Sequence, residues 1–114
     1  IADIITGDAV GYVPGIVVAE TVYIFSKKMK DKDLLKEFFS EFLKKYPFVL
    51  FDIPVKHCES LGEYLGYKVT IRGQEKEIKD IHDILIVLLA KEKKATIVTR
   101  DEIITNSGLV DVIW

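Results

Sequence analysis

Ile84 to Ala90 is an unbroken apolar run inside a longer stretch, Asp80–Lys93, whose length and flanks predict a helix. A helix apolar on every side is buried, so this segment commits the chain to a fold with a whole helix in its interior. Neither this run nor the apolar stretch Val13–Ala19 approaches the ~20 residues that cross a bilayer, and no membrane role is expected. The remaining sequence alternates. Ile1–Gly7 reads as the last turns of a helix closing at Gly7. Gly11–Val13 is a short apolar strand, and Pro14 suits the first turn of a helix over Gly15–Ser26. Asp31–Tyr46 predicts an amphipathic helix, with Leu34, Leu35, Phe38, Phe39, Phe42 and Leu43 on one face as core. Phe48–Ile53 is strand-like, Pro54–Leu65 carries a weaker helical pattern, and Ala95–Thr99 and Leu109–Trp114 are short apolar strands. Gly66–Lys76 stays open between strand and loop, although Tyr67 to Ile71 alternates as a strand does. Strands separated by helices point to an α/β domain with a mainly parallel sheet.

With 114 residues, 49% of them hydrophobic and 30% charged, the sequence suits one globular domain over 1–114 and carries no disordered composition. A net charge of −2 excludes a basic character along the whole chain but not a local basic patch. The single cysteine, Cys58, forms no internal disulfide and suits a reducing compartment, hence a cytoplasmic protein. No signal peptide, linker or internal repeat is visible.

Three carboxylates stand out. Glu20 is the only charge between Val13 and Phe25, and its helical neighbours are Ile16, Val17, Tyr23 and Ile24. A carboxylate on such a face is expected to be neutralised, paired with a cation, or bound to a metal. Asp83 falls in the first turn of the Asp80–Lys93 helix, where the dipole favours negative charge. The same spacing makes Asp80 a candidate N-cap, with Asp83 completing a capping box. Asp101 follows the strand Ala95–Thr99, at the carboxyl end where open α/β sheets bind ligands. It is equally an N-cap for a short helix over 102–106.

Taken together, these segments resemble the PIN-domain nucleases. Val13–Glu20 is similar to that family's strand and Glu-bearing helix, Asp83–Ala90 to its aspartate-led apolar helix, and Thr96–Asp101 to its strand ending in Thr-x-Asp. The likeness covers essentially the whole chain and is nearest to the VapC-type toxins of toxin–antitoxin pairs. It implies a three-layer α/β/α sandwich with a mainly parallel sheet. The family pattern begins with a central strand ending in a metal-binding aspartate. Neither Asp3 nor Asp8 can supply it, so that first strand is expected to lie upstream of Ile1, and residues 1–114 alone are not expected to be active. The resemblance also implies Glu20, Asp83 and Asp101 as metal ligands, with Asp80, Thr99 and Arg100 as further candidates near the metal or the substrate. Oxygen-only ligands suit Mg²⁺ or Mn²⁺, whereas His57, His82 and Cys58 show no zinc spacing. The expected activity is hydrolysis of RNA, and the expected partners are a cognate antitoxin and a second copy of the chain.

Lys27, Lys28, Lys30 and Lys32, with Lys44 and Lys45, either hold a nucleic-acid backbone or form solvated helix ends complementing the dipole. His57 and His82 carry no partner pattern and read as structural. Two other functions compete with a nuclease. One is a catalytically inactive PIN-like module that binds RNA or protein through a vestigial acidic cluster. The other is a phospho-acceptor signalling domain, which needs adjacent acids after an early strand and a lysine after a late one, and neither is evident.

Overall fold

A computed structural model describes residues 2–114, which form two compact units, 2–52 and Ile53–Trp114. In the first unit, helix α1 (Ala2–Thr6) closes at Gly7, whose φ of +86° is the left-handed conformation that glycine adopts without a Cβ penalty. Strand β1 (Gly11–Pro14) pairs in parallel with β2 (Phe48–Phe51), Gly11 opposite Phe48 and Pro14 opposite Phe51. A Cβ on Gly11 would sit 2.8 Å from the Phe48 ring, so that close approach requires glycine. Between the strands run α2 (Gly15–Ser26) and α3 (Lys32–Lys45). Pro14 stands at the N-cap of α2 with φ −63°, the angle its ring fixes in any case. Asp31 caps α3 by accepting hydrogen bonds from the Asp33 and Leu34 N–H groups, both at 3.0 Å.

In the second unit, α4 (Val55–Tyr64) leads to a hairpin of β3 (Lys68–Ile71) and β4 (Gln74–Glu77), antiparallel, with Ile71 opposite Gln74. The segment left open between strand and loop is therefore a hairpin. Its two-residue turn, Arg72–Gly73, has φ values of 49° and 78°, the sign that two-residue hairpin turns of type I′ demand at both positions. Helix α5 (Ile81–Lys93) follows, then β5 (Ile97–Val98), α6 (Glu102–Ser107) and β6 (Val112–Ile113), with β5 and β6 parallel.

The core of this unit forms around α5. Ile84, 1% exposed, packs with Leu88 of the same helix, with Val69 and Ile71 of the hairpin and with Ile78 just past it, flanked by Leu61, Tyr64, Ile103 and Leu109. Leu85, Val87, Leu89 and Ala90 are buried too, as an all-apolar helix requires. The α/β class is as expected, and two of the three two-stranded sheets are parallel. No helix is long and apolar enough to cross a membrane among the described residues.

Two expectations fail in the first unit. Helix α2 buries none of its residues, and Glu20 is exposed rather than desolvated. Periodicity shows which face a helix offers for burial. The desolvation cost arises only where a second layer covers that face, and here Tyr23, Ile24 and Phe25 also stand open to solvent. The α3 stripe is likewise only partly core. Leu35 is buried, while Phe38 and Phe42 remain 44% and 38% exposed. Their rings associate with one another instead, Phe38 edge-on to Phe39 at 5.3 Å and Phe42 against Tyr46 at 4.8 Å.

Candidate functional site

The sequence's six candidate residues divide between the units: Glu20 belongs to the first, and Asp80, Asp83, Thr99, Arg100 and Asp101 to the second. Glu20 occupies the middle of α2, one residue before Thr21, whose hydroxyl donates to the Val17 carbonyl at 2.7 Å.

Asp80 is the N-cap of α5, accepting from the His82 N–H at 2.8 Å. Its capping role thus stands as read from the spacing. Asp83 lies in the first turn of the same helix and is half-buried, immediately before Ile84 enters the core. A carboxylate there faces the positive end of the helix dipole while its backbone anchors in the best-packed part of the unit.

Asp101 is built from three local contacts. Strand β5 ends at Val98, and the Thr99 N–H still donates across the ladder to the Ile113 carbonyl at 3.2 Å. The Thr99 hydroxyl then accepts from the Asp101 N–H at 3.0 Å, closing a tight turn at the strand end. Asp101 in its turn caps α6, its Oδ1 accepting from Ile103 N–H at 2.8 Å and Ile104 N–H at 3.0 Å. Both sequence readings of Asp101 therefore describe one side chain: Oδ1 makes the cap, and Oδ2 takes no part in it. Thr99 acts on the aspartate's backbone rather than on its carboxylate. Arg100 turns toward Trp114, its guanidinium carbon 3.9 Å from the ring centre.

Electrostatics around α6 are ordered by a second pair. Arg72 in the hairpin turn bonds to Glu102, and this hydrogen bond together with the guanidinium charge holds the Glu102 carboxyl below its ordinary value of 4.5. A similar pair joins Lys56 to Glu92, whose carboxyl is held low by the Lys56 hydrogen bond, and further by the charges of Lys56, His57 and Lys93. Glu92 also reaches the His57 imidazole, Nε2 to Oε2 at 3.3 Å, and His57 is 6% exposed. The structural role read for His57 fits this burial. Its contact with Glu92 joins α4 to α5 and carries no local sequence signature.

The lysines show intramolecular roles. Lys27 Nζ lies 4.4 Å over the Tyr23 ring, Lys45 sits over Tyr46 at 5.6 Å, and Lys44 approaches Glu41 at 3.8 Å on the solvent side of α3. Lys44 and Lys45 also rim a shallow hollow floored by Phe38, Phe42 and Tyr46.

Among the described residues no group of three or more His, Cys, Asp or Glu side chains gathers closely enough to hold a metal ion. The chemistry of the candidate donors is nonetheless of one kind, carboxylate oxygen, and Asp101 keeps one oxygen outside its cap. Such donors fit a hard divalent cation rather than zinc or copper.

Against known families, the model of the PIN domain matches residues 1–107, a span that includes all six candidate residues. No curated protein and no solved structure matches the chain.

Proposed function

Because this chain belongs to the PIN-domain family, whose members are generally nucleases acting on RNA or DNA, we propose that it is a metal-dependent endoribonuclease, the toxin of a toxin–antitoxin pair. The observation that carries the proposal is Asp101: a carboxylate at the carboxyl end of a parallel strand, with one oxygen anchoring a helix and the other outside that anchor. Glu20, Asp83 and Asp101 are the proposed ligands of Mg²⁺ or Mn²⁺. When bound, such an ion polarises a phosphodiester and lowers the pKa of its water. The protein's own part is positional. Thr99 fixes the turn that presents Asp101, and Asp80 ties down the first turn of α5 that presents Asp83. Arg100 supplies a positive charge beside Asp101 for substrate phosphate.

An antitoxin and a second copy of the chain are the proposed partners, and the exposed apolar side chains of α2 and α3, among them Tyr23, Ile24, Leu34 and Phe38, support association of this kind. The free Cys58 suits the cytoplasm. The test is cleavage of RNA by the full-length protein during a Mg²⁺ or Mn²⁺ titration. Glu20→Gln, which keeps the length of the side chain and removes its charge, abolishes cleavage while far-UV circular dichroism still reports a folded chain. Metal-dependent cleavage retained in Glu20→Gln sinks the assignment of Glu20.

A further inference from the structure

Arg100 and Trp114 leave the β5–β6 ladder side by side. Val98 is in register with Ile113, and the next link of the ladder is the Thr99 N–H on the Ile113 carbonyl, so the following residues of the two strands emerge together at the carboxyl end. There the guanidinium carbon lies over the indole, 3.9 Å from the ring centre. Trp114 is 74% exposed, and Arg100 is exposed beside it. Among the described residues the guanidinium enters no ion pair, and the neighbouring acid Glu102 is already bound by Arg72. The result is an indole largely in water, backed by an unneutralised cation, one residue from Asp101.

A flat aromatic face beside a free guanidinium is the chemistry that receives an unstacked nucleobase and its phosphate. We propose that the Arg100–Trp114 pair is a stacking platform that seats single-stranded nucleic acid next to Asp101, with Trp114 as a positioning residue. The proposal rests on the nuclease reading and adds the two side chains that hold an unpaired base beside Asp101. Bases in a duplex are stacked on one another and present no face to the indole.

The experiment uses the full-length protein in EDTA, so that binding is read without cleavage. Trp114 is the only tryptophan in the 114 residues, and the emission lost in Trp114→Phe isolates its signal. Single-stranded oligouridylate is expected to quench that emission, and a duplex RNA of the same length is not. Quenching by single-stranded RNA alone, or by RNA and DNA alike, supports the platform. Trp114→Ala is expected to bind the single strand about 5- to 150-fold more weakly by anisotropy, with Trp114→Phe within a few-fold of the parent. Arg100→Gln is expected to lower the slope of log affinity against log salt by about one. Bound single strand with unquenched Trp114, equal affinity in Trp114→Ala, or no binding of single strands at all overturns the proposal. Cleavage by the metal-loaded protein is scored separately. Cleavage without quenching refutes the platform alone, and quenching without cleavage refutes the nuclease reading alone.

Discussion

Replacing Asp101 separates the chemical role of this residue from its structural one. Its Oδ1 holds two N–H groups of α6, at 2.8 and 3.0 Å, and those bonds need an acceptor oxygen but not a charge. Asn offers the same oxygen and ranks with Asp as an N-cap, so Asp101→Asn should lose at most the charge–dipole contribution, about 0.3–1 kcal/mol at an exposed helix end. Ala removes the acceptor and should cost about 0.5–2 kcal/mol. For a chain of this size 1 kcal/mol corresponds to roughly 4 °C in the melting temperature. Cleavage responds differently. With its oxygen held in the cap, Asn presents an uncharged NH2 group where Oδ2 stands, and that donor nitrogen cannot ligate a cation, so both variants should lose RNA hydrolysis equally. Thermal melts and a metal-dependent cleavage assay on the full-length protein check the two expectations independently. Full activity in Asp101→Asn refutes the ligand role, whereas Asp101→Ala melting with Asp101→Asn refutes the cap.

Three further perturbations have signs fixed by the structure. Ile84→Ala empties a site that is 1% exposed between α5 and the hairpin and should destabilise by about 2–5 kcal/mol, read as a shift in the denaturant midpoint. Lys94 ends α5 in the left-handed region, φ 51° and ψ 40°, so Lys94→Gly should stabilise by about 1 kcal/mol in the same melts; an unchanged or lower midpoint contradicts the strain. Glu102 and Glu92 both have carboxyls held below 4.5 in the folded chain by their Arg72 and Lys56 hydrogen bonds. The unfolded chain therefore takes up these protons first, and the stability the pairs contribute is complete above that value and lost as pH falls below it. Combining Arg72→Gln with Lys56→Gln should flatten the acid limb of melting temperature against pH, and parallel limbs refute the linkage.

What the sequence revealed is what neighbours along the chain decide. The extents of α2 and α3, the Asp80 and Asp101 caps and the left-handed Gly7 follow from interactions within four or five residues, and each is visible in composition and spacing. The hairpin was obscured because its turn places Arg72, not Asn or Gly, at a positive φ, leaving Gly73 as the lone signal. Burial was the weaker inference throughout. The apolar run of α5 is covered because the hairpin and α4 fold over it, whereas α2 has similar apolarity and buries nothing. His57 is buried against Glu92, a contact set by how α4 lies on α5. In the candidate site, the residue types at Asp83, Thr99 and Asp101 could be picked out, but not the division of labour between the two oxygens of Asp101, nor the turn of Arg100 onto Trp114.

Strand β4 bears on how the protein survives crowding. All four of its residues, Gln74, Glu75, Lys76 and Glu77, are exposed, and its one ladder partner among the described residues is β3. An open strand edge is a template on which other chains can nucleate fibrils. Here the template carries alternating charge, with Glu75 held 3.2 Å from Lys68 across the ribbon, so an incoming strand would have to strip water from ions along its length. The hairpin can thus supply Val69 and Ile71 to the core from one strand while the other acts as a gatekeeper against aggregation.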